Sequence, residues 1–145
     1  MTHNATFNMR TQRAGAPAAA GTTVHTGAWV DTRGFNDVAI LVTLGAIVSG
    51  GTVDLKLQYS NDGSNSAGDV AGSGLTGIAV AGQNTTYALG INKPQSRWVR
   101  AHITRNTQNT VVDSINAVLG GAAVAPTSEM ATTHKVVNAA PIGTP

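Results

Sequence analysis

Apolar and polar residues alternate with a period of two along much of the middle of the chain. The clearest case is residues 51–60, where apolar side chains occupy every second position: Val53, Leu55, Leu57 and Tyr59. Because successive side chains of a strand point to opposite faces of a sheet, this pattern predicts a half-buried β-strand. The same alternation marks residues 97–104 and residues 111–119, the latter with Asp113 among its apolar positions.

Four more segments carry strand signals. Residues 35–44 are apolar on both faces at their centre, which predicts a central strand, and residues 24–30 precede them. Residues 75–81 and 85–91 are separated by Gly82-Gln83-Asn84, a set of turn residues that predicts a hairpin.

Together these signals predict an all-β fold. About seven strands without intervening helical patterns favour an antiparallel β-sandwich, and we expect a jelly-roll-like arrangement. The predicted β-sandwich domain spans residues 23–120. Residues 1–22 and 121–145 combine small side chains with Gly and Pro, so we expect them to form extended N- and C-terminal arms.

Composition narrows the possible partners. Only 11% of the 145 residues are charged, and the formal net charge is +2. The densest basic group is Arg97, Arg100 and Arg105, which is too sparse for the phosphate-binding cluster of a nucleic-acid protein. No apolar run is long enough to span a membrane, and no secretory leader is evident. We therefore expect neither nucleic acid nor a membrane as a partner.

The motifs of common enzymes and cofactor sites are missing from the sequence. Residues 72–77 match a three-glycine dinucleotide pattern in form, but no hydrophobic strand precedes them and no helical pattern follows. The chain has no Cys, its four histidines are not at metal-ligand spacing, and Glu129 is its only glutamate. The loop from Asp62 to Asp69 offers oxygen ligands for Ca²⁺ but departs from a calcium loop, so we expect a solvated turn. We expect no enzyme activity, no cofactor and no metal.

Aromatic residues are few, and one of them stands out. Trp29 is expected to pack inside the sandwich, whereas Trp98 is flanked by Arg97 and Arg100 and shares a predicted strand face with His102. Tryptophan and arginine are typical anchors of protein interfaces. Core filling remains an alternative for Trp98. The interface candidates are therefore Trp98, Arg97, Arg100 and His102.

Three segments, residues 29–38, 51–63 and 97–100, resemble the capsid decoration (cement) proteins of tailed double-stranded DNA bacteriophages. The likeness lies in a Gly-Thr-Val strand that runs into a Ser-Asn-Asp-Gly loop, and in the Arg-Trp-Val-Arg segment. The resemblance covers residues 29–100, about half of the chain. It implies a β-sandwich that binds the outer face of the capsid at junctions between capsomers and so stabilises the head.

The implied partner is the major capsid protein, and the implied state is a homo-oligomer, either a dimer or a trimer. The implied location is the virion, on the capsid surface, after a period in the host cytoplasm during assembly. Low charge fits such a role, because free monomers rely on charge to suppress association. Two alternatives stay open: another virion component (a tail, fibre or head-completion protein), or a carbohydrate-binding β-sandwich module.

Overall fold

The computed structural model describes residues 9–121, which form eleven β-strands and one short 3-10 helix, Val80–Gly82. The long strands coincide with the alternating segments of the sequence, because alternation lets one face of each strand pack inward. The strands are β1 (Arg10–Gly15), β2 (Ala18–Gly21), β3 (His25–Thr26), β4 (Val30–Asp31), β5 (Asp37–Ile47), β6 (Thr52–Ser60), β7 (Gly68–Asp69), β8 (Leu75–Ile78), β9 (Thr86–Asn92), β10 (Trp98–Asn106) and β11 (Thr110–Gly120).

The strands form two sheets in which every pairing is antiparallel. Sheet A has the order β1-β11-β5-β9, with β2 also paired to β11. Sheet B has the order β3-β10-β6-β7, with β4 also paired to β10 and β8 to β6. The all-β antiparallel fold predicted from the sequence is thus confirmed, and β5 is the central strand that its apolar pattern indicated.

The short strands combine into longer lines. When β1 and β2, β3 and β4, and β7 and β8 are each taken as one interrupted line, residues 9–121 form eight lines. The first line then pairs with the eighth, the second with the seventh, the third with the sixth and the fourth with the fifth. The described strands therefore pair like one long hairpin that has been rolled up, and the first and last of them meet in sheet A.

The inward faces of the sheets form one apolar core. Each large aliphatic side chain buried there contributes about 1.5–3 kcal/mol relative to an exposed position. The largest fully buried side chains are Ile40, Leu44, Leu55, Leu57, Ile103, Ile115, Leu119, Val30, Val38, Val42, Val53 and Val99.

Two local predictions are wrong. Residues 75–81 and 85–91 do not form a hairpin, because β8 pairs with β6 in sheet B whereas β9 pairs with β5 in sheet A. The turn residues between them cross from one sheet to the other. The predicted strand 24–30 is interrupted between β3 and β4, where Gly27 donates its backbone N–H to Ala101 O at 2.9 Å.

The sheet begins earlier in the chain than the predicted domain boundary at residue 23. Residues 10–21, which were expected in the N-terminal arm, form β1 and β2 and pair with β11. β1 and β2 consist mostly of small or polar residues, so a sequence pattern has little alternation to detect. Residues 1–8 of that arm and residues 122–145 of the C-terminal arm lie outside the described residues.

One arginine of the basic group lies inside the molecule. Arg105 is 6% exposed, and its guanidinium donates to Ala19 O, Thr23 O, Thr23 Oγ1 and Thr110 O at 2.8–3.0 Å. Four acceptors compensate the buried cation, since a buried charge without partners is strongly unfavourable. Arg105 therefore ties β2 and the following loop to β11 and is separate from Arg97 and Arg100.

Candidate interaction site on sheet B

The predicted interface residues follow from the phase of β10. Val99, Ala101 and Ile103 are buried in the core, so the side chains between them lie on the outer face of sheet B. Trp98, Arg100 and His102 occupy this outer face, and Arg97 directly precedes the strand. The strand phase thus places Trp98, Arg100 and His102 on one face of the sheet. Arg97 joins them through its side chain, which contacts Asp31 and the Trp98 ring.

Arg97 is held by an ion pair with Asp31, which lies opposite Trp98 in the pairing of β4 with β10. Arg97 Nε and Nη2 donate to the two carboxylate oxygens of Asp31 at 3.0 and 2.8 Å. This hydrogen bonding lowers the pKa of Asp31 and raises that of Arg97. The guanidinium also lies 4.9 Å from the centroid of the Trp98 ring. Arg97 is therefore oriented while about half of its side chain, 47%, stays exposed.

Arg100 forms a second layered contact. Its guanidinium lies 4.4 Å from the centroid of the Trp29 ring, and its Nε and Nη2 donate to Gln58 Oε1 at 3.0 and 2.9 Å. The indole Nε1 of Trp29 donates to Ser64 O at 3.3 Å. Cation–π contacts of this kind contribute about 0.5–2 kcal/mol, depending on solvent exposure. We call Trp29, Asp31, Arg97, Trp98 and Arg100 the guanidinium–tryptophan surface.

The prediction that Trp29 packs inside is wrong. Val30 is fully buried and pairs with Val99, so the preceding side chain points away from the core. Trp29 therefore lies half-buried on the outer side of sheet B, against Arg100. The sequence contained this signal, because two neighbouring apolar residues in an extended segment cannot both face the core.

A glycine lets the β6–β7 loop pack on Trp98. Gly63 has a φ of +75°, and a Cβ built there would lie 2.8 Å from Trp98 Cε2. Only glycine combines this backbone conformation with so close an approach. The Trp98 ring therefore contacts both the Arg97 guanidinium and the loop backbone, which fixes its position.

His102 lies further along the same face, opposite Thr26 on β3 and Lys56 on β6. Burial lowers its pKa, and the positive charges of Lys56 and Arg100 lower it further, against the opposing effect of Asp69. Its Nδ1 is buried without a hydrogen-bond partner among the residues that the structure describes. Burial and the nearby cations therefore both favour the neutral imidazole.

The two carboxylates of the predicted oxygen-rich loop are both engaged with donors of the protein. Asp62 accepts from the backbone N–H groups of Ser64 and Asn65 at 2.8 and 2.9 Å, and this hydrogen bonding lowers its pKa. Asp69 accepts from Lys56 Nζ at 2.7 Å and from Gln58 Nε2 at 3.2 Å. Within residues 9–121, no three His, Cys, Asp or Glu side chains cluster as a metal site would require.

A groove of about 680 Å³ opens between the β9–β10 connection and β7. Its apolar lining comes from Tyr59, Ile91 and Val99, and its charged lining from Asp69 and Lys93. Sequence patterns did not indicate this groove, since its lining residues come from both sheets.

In the same described part of the chain, no helix is long and apolar enough to cross a membrane.

Sequence reasoning identified the residues on β10 but missed the partners that orient them. Asp31, Gln58 and Trp29 lie on other strands or loops, and their proximity depends on strand pairing that a single sequence does not reveal.

Comparison with known proteins adds no relative, because no protein-family model and no curated protein matches the chain.

Proposed function

We propose that this protein is a structural component of a bacteriophage particle that binds the outer surface of the capsid and stabilises the head by contact alone. Its partner in this proposal is the major capsid protein, and it acts as a homo-oligomer at junctions between capsomers. The guanidinium–tryptophan surface is the observation that carries the proposal, together with the resemblance of residues 29–38, 51–63 and 97–100 to decoration proteins.

The guanidinium–tryptophan surface has the chemistry of an interface anchor. Tryptophan and arginine dominate the residues whose truncation weakens protein complexes most. Asp31 and Gln58 hold the two guanidinium groups by two hydrogen bonds each, and Gly63 packs on Trp98. Because these side chains are ordered before binding, little further conformational entropy is lost when a partner docks.

The strand order supports the jelly-roll part of the expectation. A jelly roll is an eight-stranded double sheet in which a long hairpin is rolled up. Sheet A and sheet B, read as eight lines, pair first with eighth, second with seventh, third with sixth and fourth with fifth. Such folds are common in viral capsid proteins, which is an argument from fold alone and secondary to the surface chemistry.

The outer face of sheet A supports the proposal that the protein functions within an assembly. Its centre carries Ala39, Leu41, Ala88, Gly90 and Val118, which are exposed or half-buried and uncharged. A protein that stays monomeric at high concentration normally places charges on such a face. This face therefore offers a second area for contact with neighbouring subunits.

Stacking on a sugar is less well supported than protein contact. A carbohydrate-binding module presents open aromatic faces, but the Trp98 ring contacts the Arg97 guanidinium and the Gly63 backbone, and Arg100 lies over Trp29. Glycan binding that is lost in Trp98→Ala would support that alternative instead.

Co-sedimentation with capsids tests the proposal. The capsids are assembled from the major capsid protein encoded in the same genome, and the added variants are Arg97→Ala and Trp98→Ala. We expect each to weaken binding by at least about fivefold, because truncated interface anchors cost more than about 1 kcal/mol.

Arg33→Ala is the charge-matched control, since the Arg33 side chain is exposed and its hydrogen bond to Asp31 uses the backbone N–H, which alanine keeps. Thermal melting of each variant separates loss of contact from loss of folding. The proposal is wrong if the wild-type protein does not bind these capsids at saturating concentration. Particle images that place the protein in the tail would favour the other virion role.

A further inference from the structure

Strand β9 forms one edge of sheet A. Residues Thr86–Asn92 pair with β5 on one side, and no other strand of the described chain pairs with them on the other. An edge strand presents a row of backbone donors and acceptors that can accept a further strand.

The hydrogen bonds at the two ends of β9 show which backbone groups face outward. Leu44 N donates to Thr85 O at 3.0 Å, and Lys93 N donates to Asn36 O at 2.6 Å, so the odd-numbered residues of this segment face β5. In an antiparallel pair, alternate residues direct both backbone groups to the same side. The N–H and C=O groups of the even-numbered residues therefore point away from the sheet: Thr86, Ala88, Gly90 and Asn92.

β9 lacks the features that normally protect an edge. It contains no charged residue and no proline. The opposite edge of sheet A includes β1, which carries Arg10 and Arg13 and has a register irregularity before Gly15. The edge strands of sheet B are only two to four residues long. Among the described strands, β9 is thus the long edge strand that none of these features protects from pairing.

We propose that β9 pairs antiparallel with β9 of a second copy of this chain, about a two-fold axis at Leu89, so that sheet A continues across the dimer. In this register about eight backbone hydrogen bonds form between the even-numbered residues of the two strands. The pairing deepens the homo-oligomer part of the proposed function, but its tests use the isolated protein, so a failure here is distinguishable from a failure of capsid binding.

The side chains of β9 complement a second copy of the same strand. On the outer face, Thr86, Ala88, Gly90 and Asn92 are exposed, small or polar, and uncharged, so two copies meet without repulsion. On the inner face the half-buried Tyr87 comes to lie opposite Ile91 of the partner subunit. An aromatic side chain opposite a β-branched one is a favourable cross-strand pair. The two-fold axis brings suitable side chains together on both faces of the paired strands in one register. A strand from a different protein would need suitable side chains on both faces as well.

Amide exchange measured by NMR tests the pairing directly. Spectra are taken at roughly 20 µM and about 1 mM, because an interface limited to one strand pair is small and forms a weak complex. We expect the amides of Ala88 and Gly90 to exchange more slowly at the higher concentration, since pairing protects them. The amides of Tyr87 and Leu89 face β5 and should be protected at both concentrations.

Charge variants test whether the partner is a second copy. Ala88→Lys and Ala88→Glu each place like charges about 7–8 Å apart across the axis, and we expect each alone to dimerise about three- to tenfold more weakly. An equimolar mixture of the two should dimerise at least as tightly as wild type. Ala46→Lys, at an exposed position of β5 outside the β9 pairing, is the matched control.

Sedimentation equilibrium measures the dimer constants, and thermal melting verifies folding. The proposal is overturned if wild type stays monomeric at about 1 mM. It is also overturned if the dimer constant of Ala88→Lys equals that of wild type, because the dimer would then use another surface. Slow exchange of Ala88 and Gly90 that does not change with concentration counts against it as well.

Discussion

The two-residue repeat of β10 decides which of its side chains lie on the outer face of sheet B. That repeat was visible in the sequence, so the common face of Trp98, Arg100 and His102 was predicted correctly. What each side chain contacts was not predictable. Arg97 and Arg105 are both arginines near apolar residues, yet one pairs with Asp31 at the surface and the other is buried among backbone carbonyls.

His102 gives the folded protein a pH dependence near neutrality. Because burial and nearby cations lower its pKa in the folded state, the unfolded chain binds a proton more readily. Stability from the neutral imidazole is thus present above the unfolded pKa of about 6.5 and decreases as pH falls below it. We expect the free energy of unfolding to fall between about pH 7.5 and pH 5.5, and His102→Gln to remove part of that decrease.

Urea unfolding at both pH values measures the effect. His25→Gln is the matched control, because it replaces a histidine on the neighbouring strand β3, opposite Ile103. The Nε2 of His25 lies 2.8 Å from Ala16 O. An unchanged pH dependence in His102→Gln would show that another group is responsible.

At the scale of strands, irregularities in pairing decide which residues face the core. Asp113 interrupts the apolar alternation of residues 111–119, yet it is exposed. The register of β11 against β5 shifts on both sides of Val112, so Val112 faces inward before the second shift and Ile115 faces inward after it. A β-bulge inserts one residue and reverses the phase of the strand. The sequence showed the alternation but not its reversal.

The close contact between sheet B and β1 of sheet A depends on Gly27, which lies between β3 and β4. A Cβ built there would lie 2.6 Å from Ala14 O, the acceptor of the Ala28 N–H. Gly27→Ala must therefore displace β1, and we expect a loss of about 1–3 kcal/mol of stability. Gly74→Ala is the control, because its Cβ would come no closer than 3.9 Å to Leu55 O. Equal stability of both variants in urea unfolding would contradict the close approach.

For the whole molecule, the pairing of the first strands with the last defines the domain. Arg10 lies opposite Leu119, and Ala19 O accepts from Arg105. The sequence placed the domain at residues 23–120, because β1 and β2 consist mostly of small or polar residues that carry no clear period.

A fragment of residues 23–120 tests this boundary. It lacks β1 and β2, which exposes one edge of β11 and opens the core beside the buried Ala14. We expect it to lose more than about 3 kcal/mol of stability or to aggregate, since a buried edge becomes free and Arg105 loses an acceptor. Urea unfolding compares it with residues 9–121, which keep all described strands. Equal stability of the two fragments would restore the original boundary.

The sequence by itself determined the class of the fold, the central position of β5 and the outward line of Trp98, Arg100 and His102. These follow from local periodicity, which the geometry of a single strand dictates. Only the tertiary structure decided that β8 and β9 separate into different sheets, that Trp29 meets Arg100, and that residues 10–21 close sheet A. Those features depend on which distant strands pair, and pairing is chosen by the packing of the whole core rather than by any one segment.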